Sequence, residues 1–203
     1  AIKSHRKLED IQLVAVTKTI DTEHIKEAVS FGIDAIGENR IQEASEKWTK
    51  FQDMELHLSW HLVGHLQSNK AKKAVEIFDL IHSVDSIGLL GEIDLNAQKI
   101  GKVQNVLLQV NMSEEISKSG IDPTEIIDVC DRIINRSVPF THTAIKGLMT
   151  IGPLSETPSH IRDCFKKTHE LFQTINTRFT KTKTFSMDIL SMGMSSDYAI
   201  AIE

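Results

Sequence analysis

Short apolar runs alternate with stretches of helical periodicity along nearly the whole chain. Residues 12–16 form the first run and predict a strand. Asp21 or Thr22 can cap a helix through Ile25, Ala28 and Val29, which Gly32 ends. A second strand is expected over 34–37, then a helix over 41–51 with Ala44 and Trp48 on its apolar face. A third strand over 59–64 leads to a helix over 69–78. A fourth strand over 80–84 precedes a helix that Ser86 begins and Gly101 stops. Residues 103–110 are the clearest strand. Asp122-Pro123 then opens a helix to about Asn135, with proline where a first turn tolerates it. A sixth strand (144–151), a long helix (159–179), a seventh strand (189–194) and the start of another helix (196–203) complete the pattern.

Seven strand–helix units in series imply a parallel sheet with right-handed crossovers. An open doubly wound sheet and a (β/α)8 TIM barrel both satisfy that order. The regular repeat, with no break in composition, favours the barrel. The eighth strand of a closed barrel is missing from the chain, which stops at Glu203. One domain over residues 1–203 is expected.

Composition narrows the function classes. The 203 residues are 40% hydrophobic and 25% charged, with a net charge of −5. That balance suits a soluble globular protein and lacks the basic footprint of a nucleic-acid binder. No apolar run reaches membrane-spanning length and no signal peptide is apparent, so a cytoplasmic protein is expected, with neither nucleic acid nor membrane as partner. Cys130 and Cys164 lie in apolar helical patterns and are expected as reduced core thiols.

Candidate chemistry gathers where strands end, as it does in β/α barrels. Lys18 ends the apolar run Leu13-Val14-Ala15-Val16-Thr17-Lys18-Thr19, which reads as a buried parallel strand. A lysine there can lose its proton by desolvation and attack a carbonyl, or it can snorkel to the rim with no such role. Glu38, Asn39, His65, Gln67, Asn69, Asn111, Thr150, Gly152, Ser195 and Ser196 follow the other strands. One candidate nucleophile among amides and hydroxyls suits a polar carbonyl compound better than metal-assisted hydrolysis. His61 and His65 are four apart on a strand and turn, without a convincing third ligand for zinc. The turn Met192-Gly193-Met194-Ser195-Ser196-Asp197 leads from a strand into a helix. It can hold a phosphate through backbone N–H groups, or it is an ordinary serine cap.

Four segments carry a closer likeness: Leu13 to Thr19, Ile36-Gly37-Glu38-Asn39-Arg40-Ile41-Gln42-Glu43-Ala44, Trp60-His61-Leu62-Val63-Gly64-His65-Leu66-Gln67-Ser68-Asn69-Lys70, and Leu190 to Tyr198. Ser117-Lys118-Ser119-Gly120-Ile121 and Gly147-Leu148-Met149-Thr150-Ile151 fit as well. In order, and over essentially the whole chain, they resemble the pyridoxal phosphate homeostasis protein family, also called the proline synthase co-transcribed family. The resemblance implies a TIM barrel of the alanine racemase N-terminal type that holds pyridoxal 5′-phosphate (PLP). It implies Lys18 as the Schiff-base lysine, Asn39 beside the pyridine ring, and Ser195 with the backbone around Met194 on the phosphate. The family normally continues past Ala-Ile-Glu with a Gly- and Ser/Thr-rich stretch and an Arg-Ile-Gly strand. A role for Lys118 is open.

The function implied is a non-catalytic carrier that buffers PLP and regulates its intracellular level, as a monomer or weak homodimer. PLP-dependent apo-enzymes would be its acceptors. A PLP-dependent amino-acid racemase is the alternative, although the chain has no second β domain and a single tyrosine, Tyr198. A cofactor-free Schiff-base aldolase has no motif support.

Overall fold

The computed structural model describes residues 4, 6–52, 54, 57–113, 119–137, 139–153 and 157–203. Among these residues seven strands alternate with seven α-helices: β1 (Ala15–Val16), α1 (Thr22–Ser30), β2 (Ala35–Glu38), α2 (Ile41–Phe51), β3 (Ser59–Leu62), α3 (Ala71–Ile77), β4 (Leu80–Val84), α4 (Ile87–Lys99), β5 (Gln104–Gln109), α5 (Ile126–Ile134), β6 (Thr143–Met149), α6 (Pro158–Arg178), β7 (Phe185–Ser191) and α7 (Tyr198–Ile202). The strands are all parallel and pair in sequence order from β1 to β7. With the usual right-handed crossover, that order puts every helix on one face and curls the sheet into a β/α barrel. Among the described residues no pairing joins β7 to β1.

Register assigns each residue to a face. Val16 pairs with Gly37, Gly37 with His61, His61 with Leu80, and Leu80 with Asn105. This row faces inward. Its neighbours Ile36, Leu62, Ile81 and Val106 face outward and join Ile25, Ala44, Leu90 and Ile175 of the helices in the main core. The inward cluster is small: Leu80, Leu107 and Met149, with Ile151 against them. Polar residues, chiefly His61, His82 and Gln109, fill much of the remaining interior. Burial on both faces is why β4 and β5 set apolar residues side by side, as in Leu80-Ile81 and Val106-Leu107-Leu108, and do not alternate strictly with polar ones.

The helix starts follow their caps. Asp21 accepts hydrogen bonds from the N–H groups of Glu23 and His24, both at 3.0 Å. Ser86 accepts from Leu89 N–H at 3.2 Å. The helix expected at Asp122-Pro123 begins instead at Ile126. The Asp122 carboxylate accepts from both the N–H and the hydroxyl of Thr124, completing a side-chain turn before the helix. β7 starts at Phe185 and ends at Ser191, earlier than the expected 189–194. Phe185 and Met187 are buried and belong to the sheet, but Asp188 interrupts the apolar run that marks a strand.

A bulge at Lys146 shifts β6. Val106 lies opposite Ile145, yet Leu107 lies opposite Gly147. On the other flank Ile145 faces Phe185 and Gly147 faces Ile189. Gly147 has a φ of +154°, and a Cβ there would overlap the Ile189 carbonyl.

Candidate functional site

The carboxyl ends of the parallel strands place Lys18, Asn39, His65, Asn111, Thr150 and Ser195 at one mouth of the barrel. After β1 the chain turns sharply. Thr17 N–H donates to Gly37 O at 2.9 Å, and Ile20 N–H donates to Thr17 O at 3.0 Å. Lys18 and Thr19 are the centre of this turn. Thr19 has a φ of +64°, and no other non-glycine residue among those described has a positive φ. That conformation normally belongs to glycine or asparagine, and for a β-branched residue it is strained. Val14 and Val16 face inward against Gly37. Continuing the alternation puts Lys18 on the inward row, and Asn39 likewise after Gly37. Asn39 is half-buried, and a Cβ on Gly64 would overlap its backbone, so the third strand's exit closes tightly over the second's.

The expected buried strand over residues 13–19 is not what forms. Only Ala15–Val16 is strand, Leu13 is 62% and Val16 47% exposed, and Lys18 is exposed. Among the described residues β1 pairs with β2 alone. Lys18 is thus exposed and not enclosed within a strand.

Behind the turn lies a cluster of charges. Glu38 faces α2 and not the mouth; it is 0% exposed, and Lys47 is 7% exposed. Lys47 Nζ donates to Glu38 Oε1 at 2.7 Å, to Glu43 Oε1 at 2.7 Å and to Thr17 O at 2.6 Å. All three ammonium protons are thus engaged. Glu38 Oε1 also accepts from the Thr17 hydroxyl at 2.7 Å, and Glu43 Oε1 accepts from Thr19 N–H at 2.5 Å. The hydrogen bond from Lys47 holds the Glu43 carboxyl below the usual carboxylate range.

A second polar chain crosses the interior. Ser59 Oγ lies 3.0 Å from His61 Nε2, His61 Nδ1 lies 3.0 Å from His82 Nε2, and His82 Nδ1 lies 2.9 Å from Ser191 Oγ. Burial pushes His61 down, and burial with the neighbouring His61 pushes His82 down to about 3. His82 thus stays neutral in the folded protein where the unfolded chain binds a proton. Its contribution to stability falls as pH drops below about 6.5, by about 2 kcal/mol at pH 5. Urea unfolding at pH 7.5 and pH 5 is expected to show this loss in the native protein and a smaller one in His82→Gln. Equal losses in both proteins would refute the assignment.

At the end of β7, Gly193 has a φ of +94°, and a Cβ there would crowd Tyr198 and Ala201. Asp197 is buried beneath the turn, where its carboxylate accepts from Met194 N–H. Met194 and Ser195 are exposed. The N–H groups and hydroxyls of Ser195 and Ser196 make no hydrogen bond to the described residues. α7 spans only Tyr198–Ile202, so any anion here depends on the turn and not on a helix terminus. Thr150 donates its hydroxyl to Val110 O at 2.9 Å and serves the fold. His61 is part of the interior chain, whereas His65 is exposed beside Asp85 at 3.5 Å. Among the described residues no group of three or more His, Cys, Asp and Glu could hold a metal. Lys118 lies outside the described residues.

Lys47 and His82 were not apparent as site residues in the sequence. Lys47 does carry a signal: with Ala44 and Phe51 it forms the buried stripe of α2, a place where an unpaired lysine is rare.

A parallel β/α barrel with an amine on the turn after its first strand, and a glycine turn after its last, defines a class of lysine-bearing barrels. The family described as alanine racemase, N-terminal domain, matches residues 2–202. A pyridoxal phosphate homeostasis protein of Pasteurella multocida is 36% identical over 193 residues, covering 95% of this chain and 80% of that protein. One from Escherichia coli K12 is 35% identical over 208 residues, covering 100% of this chain and 83% of that protein. PipY of Synechococcus elongatus, solved with PLP bound, is 35% identical with a TM-score of 0.80, covering 99% of this chain and 89% of that one. The alanine racemase of Clostridium difficile 630 shares the fold at 14% identity, with a TM-score of 0.68 over 94% of this chain and 48% of that one. The chain belongs to the pyridoxal phosphate homeostasis proteins, a family of alanine-racemase-type barrels.

Proposed function

We propose that this protein binds PLP through Lys18 and acts as a carrier that buffers the cofactor without turning over a substrate. The observation that carries the reading is the tight turn that follows β1 at the carboxyl end of the barrel, with Lys18 exposed on it. The surrounding donors fit a phosphorylated aldehyde: a primary amine, the half-buried Asn39 amide, and unengaged N–H and hydroxyl groups at Ser195 and Ser196. Asp197 is turned under Met194, which keeps its carboxylate occupied and away from a bound phosphate. PLP supplies an aldehyde that condenses reversibly with an amine, forming one C=N bond and releasing one water. Lys18 would supply that amine, Asn39 would orient the ring, and the Ser195 hydroxyl with the N–H groups of Ser195 and Ser196, on the backbone around Met194, would hold the phosphate.

Among the described residues no helix is long and apolar enough to cross a membrane. A cytoplasmic setting, monomer or weak homodimer, with PLP-dependent apo-enzymes as acceptors, completes the reading. The racemase alternative has less support. The racemase likeness lies at 14% identity, and the lone tyrosine, Tyr198, is exposed at the start of α7.

The test is covalent trapping. Purified protein mixed with PLP and reduced with borohydride is expected to carry one pyridoxyl adduct, mapped by peptide mass to Lys18, and Lys18→Ala is expected to carry none. An adduct at full yield in Lys18→Ala would remove Lys18 from the role.

A further inference from the structure

We infer that Lys47, Glu38 and Glu43 form a positioning clamp that fixes the strained turn bearing Lys18 and thereby governs how well the turn captures an aldehyde. The inference rests on the reading of Lys18 as the PLP lysine. Its basis is that both peptide units flanking Lys18 are held from the helix side. The carbonyl of the preceding unit, Thr17 O, accepts from Lys47 Nζ at 2.6 Å. The N–H of the following unit, Thr19 N, donates to Glu43 Oε1 at 2.5 Å. With both planes pinned, the direction of the Lys18 Cα–Cβ bond is set by groups that do not face the mouth.

The strain at Thr19 supports this assignment. A threonine at φ +64° is costly and persists only where surrounding contacts over-determine it. Here those contacts are the clamp, the Ile20 N–H to Thr17 O bond, and the Thr19 hydroxyl donating to Lys18 O at 2.6 Å. The clamp is itself braced. Lys47 bonds Glu38 and Glu43 at once, and Glu38 Oε1 also takes the Thr17 hydroxyl. Glu38 Oε2 has no hydrogen-bond partner among the described residues, so both donors converge on a single oxygen. A carboxylate kept in a fully buried, half-satisfied state is costly for stability alone. That cost is more readily understood if the cluster serves orientation.

Glu43 is the appropriate residue to change, because it is partly exposed and its removal leaves the Lys47–Glu38 pair intact. Glu43→Ala is expected to weaken PLP binding about tenfold, the worth of one charge-assisted hydrogen bond. In the PLP-free protein it should speed amide hydrogen exchange at Thr19 and Ile20 by a similar factor. Adding Thr19→Gly, which adopts the same φ without strain, should recover much of the binding. A clamp that served stability alone would not predict that rescue. PLP affinity within twofold of the native protein, together with unchanged exchange at Thr19 and Ile20, would overturn the inference. Failure of the Lys18 reading appears separately, as adduct formation that survives Lys18→Ala.

Discussion

Lys47→Ala is expected to lower the stability of the barrel by about 3–5 kcal/mol, the usual cost of leaving one member of a buried ion pair behind. Glu38 would remain at 0% exposure with the Thr17 hydroxyl as its remaining partner. The Thr17 carbonyl would lose one of its two donors at the same time. Urea unfolding followed by circular dichroism measures the loss. The companion variant Lys47→Met with Glu38→Leu removes both charges and fills similar volume. It is expected to recover at least half of the loss, because no buried charge is then stranded. A single-variant loss below about 1 kcal/mol would mean that the pair is hydrated and holds nothing.

Gly147→Ala is expected to be worse tolerated than any surface substitution, with a loss above about 3 kcal/mol or failure to accumulate folded protein. Two independent effects add at this position. The backbone has a φ of +154°, which L side chains rarely adopt, and the new Cβ would overlap the Ile189 carbonyl on β7. Relief would require β7 to move away from β6, and that movement would carry Ser191 away from His82. Soluble yield and the urea midpoint read the effect. A midpoint equal to that of the native protein would show that the bulge at Lys146 can relax.

Much of this architecture is legible in the chain. The fourth strand is found with its expected ends, and the helix over 41–51 likewise. The positions of Lys18, Asn39 and Ser195 past strand ends follow from counting strand–helix units, because parallel order sends every carboxyl end to one mouth. What failed has identifiable causes. The first strand is shorter than its apolar run: Leu13 and Val16 are exposed, so hydrophobicity there does not report burial. The seventh strand is displaced because Asp188 splits its apolar pattern while Phe185 and Met187 fill the core. The clamp was hidden for another reason. A lysine four positions after a glutamate on a helix reads as a solvated surface pair, and only the Ala44–Lys47–Phe51 stripe betrays that this one is inside. His82 was hidden within Leu80-Ile81-His82-Ser83-Val84, where periodicity gives no hint that a partner histidine waits on the adjacent strand.

The Thr17 hydroxyl bonds Glu38 on the α2 side, and its neighbour Lys18 is exposed at the turn beyond β1. If Lys18 is the PLP lysine, as proposed, grip and reactivity are separated in space, and substitutions in the outer layer would retune how firmly a cargo is retained while every atom that meets it stays the same. Loss-of-retention variants should therefore map to the α2 side of the barrel as well as to its opening.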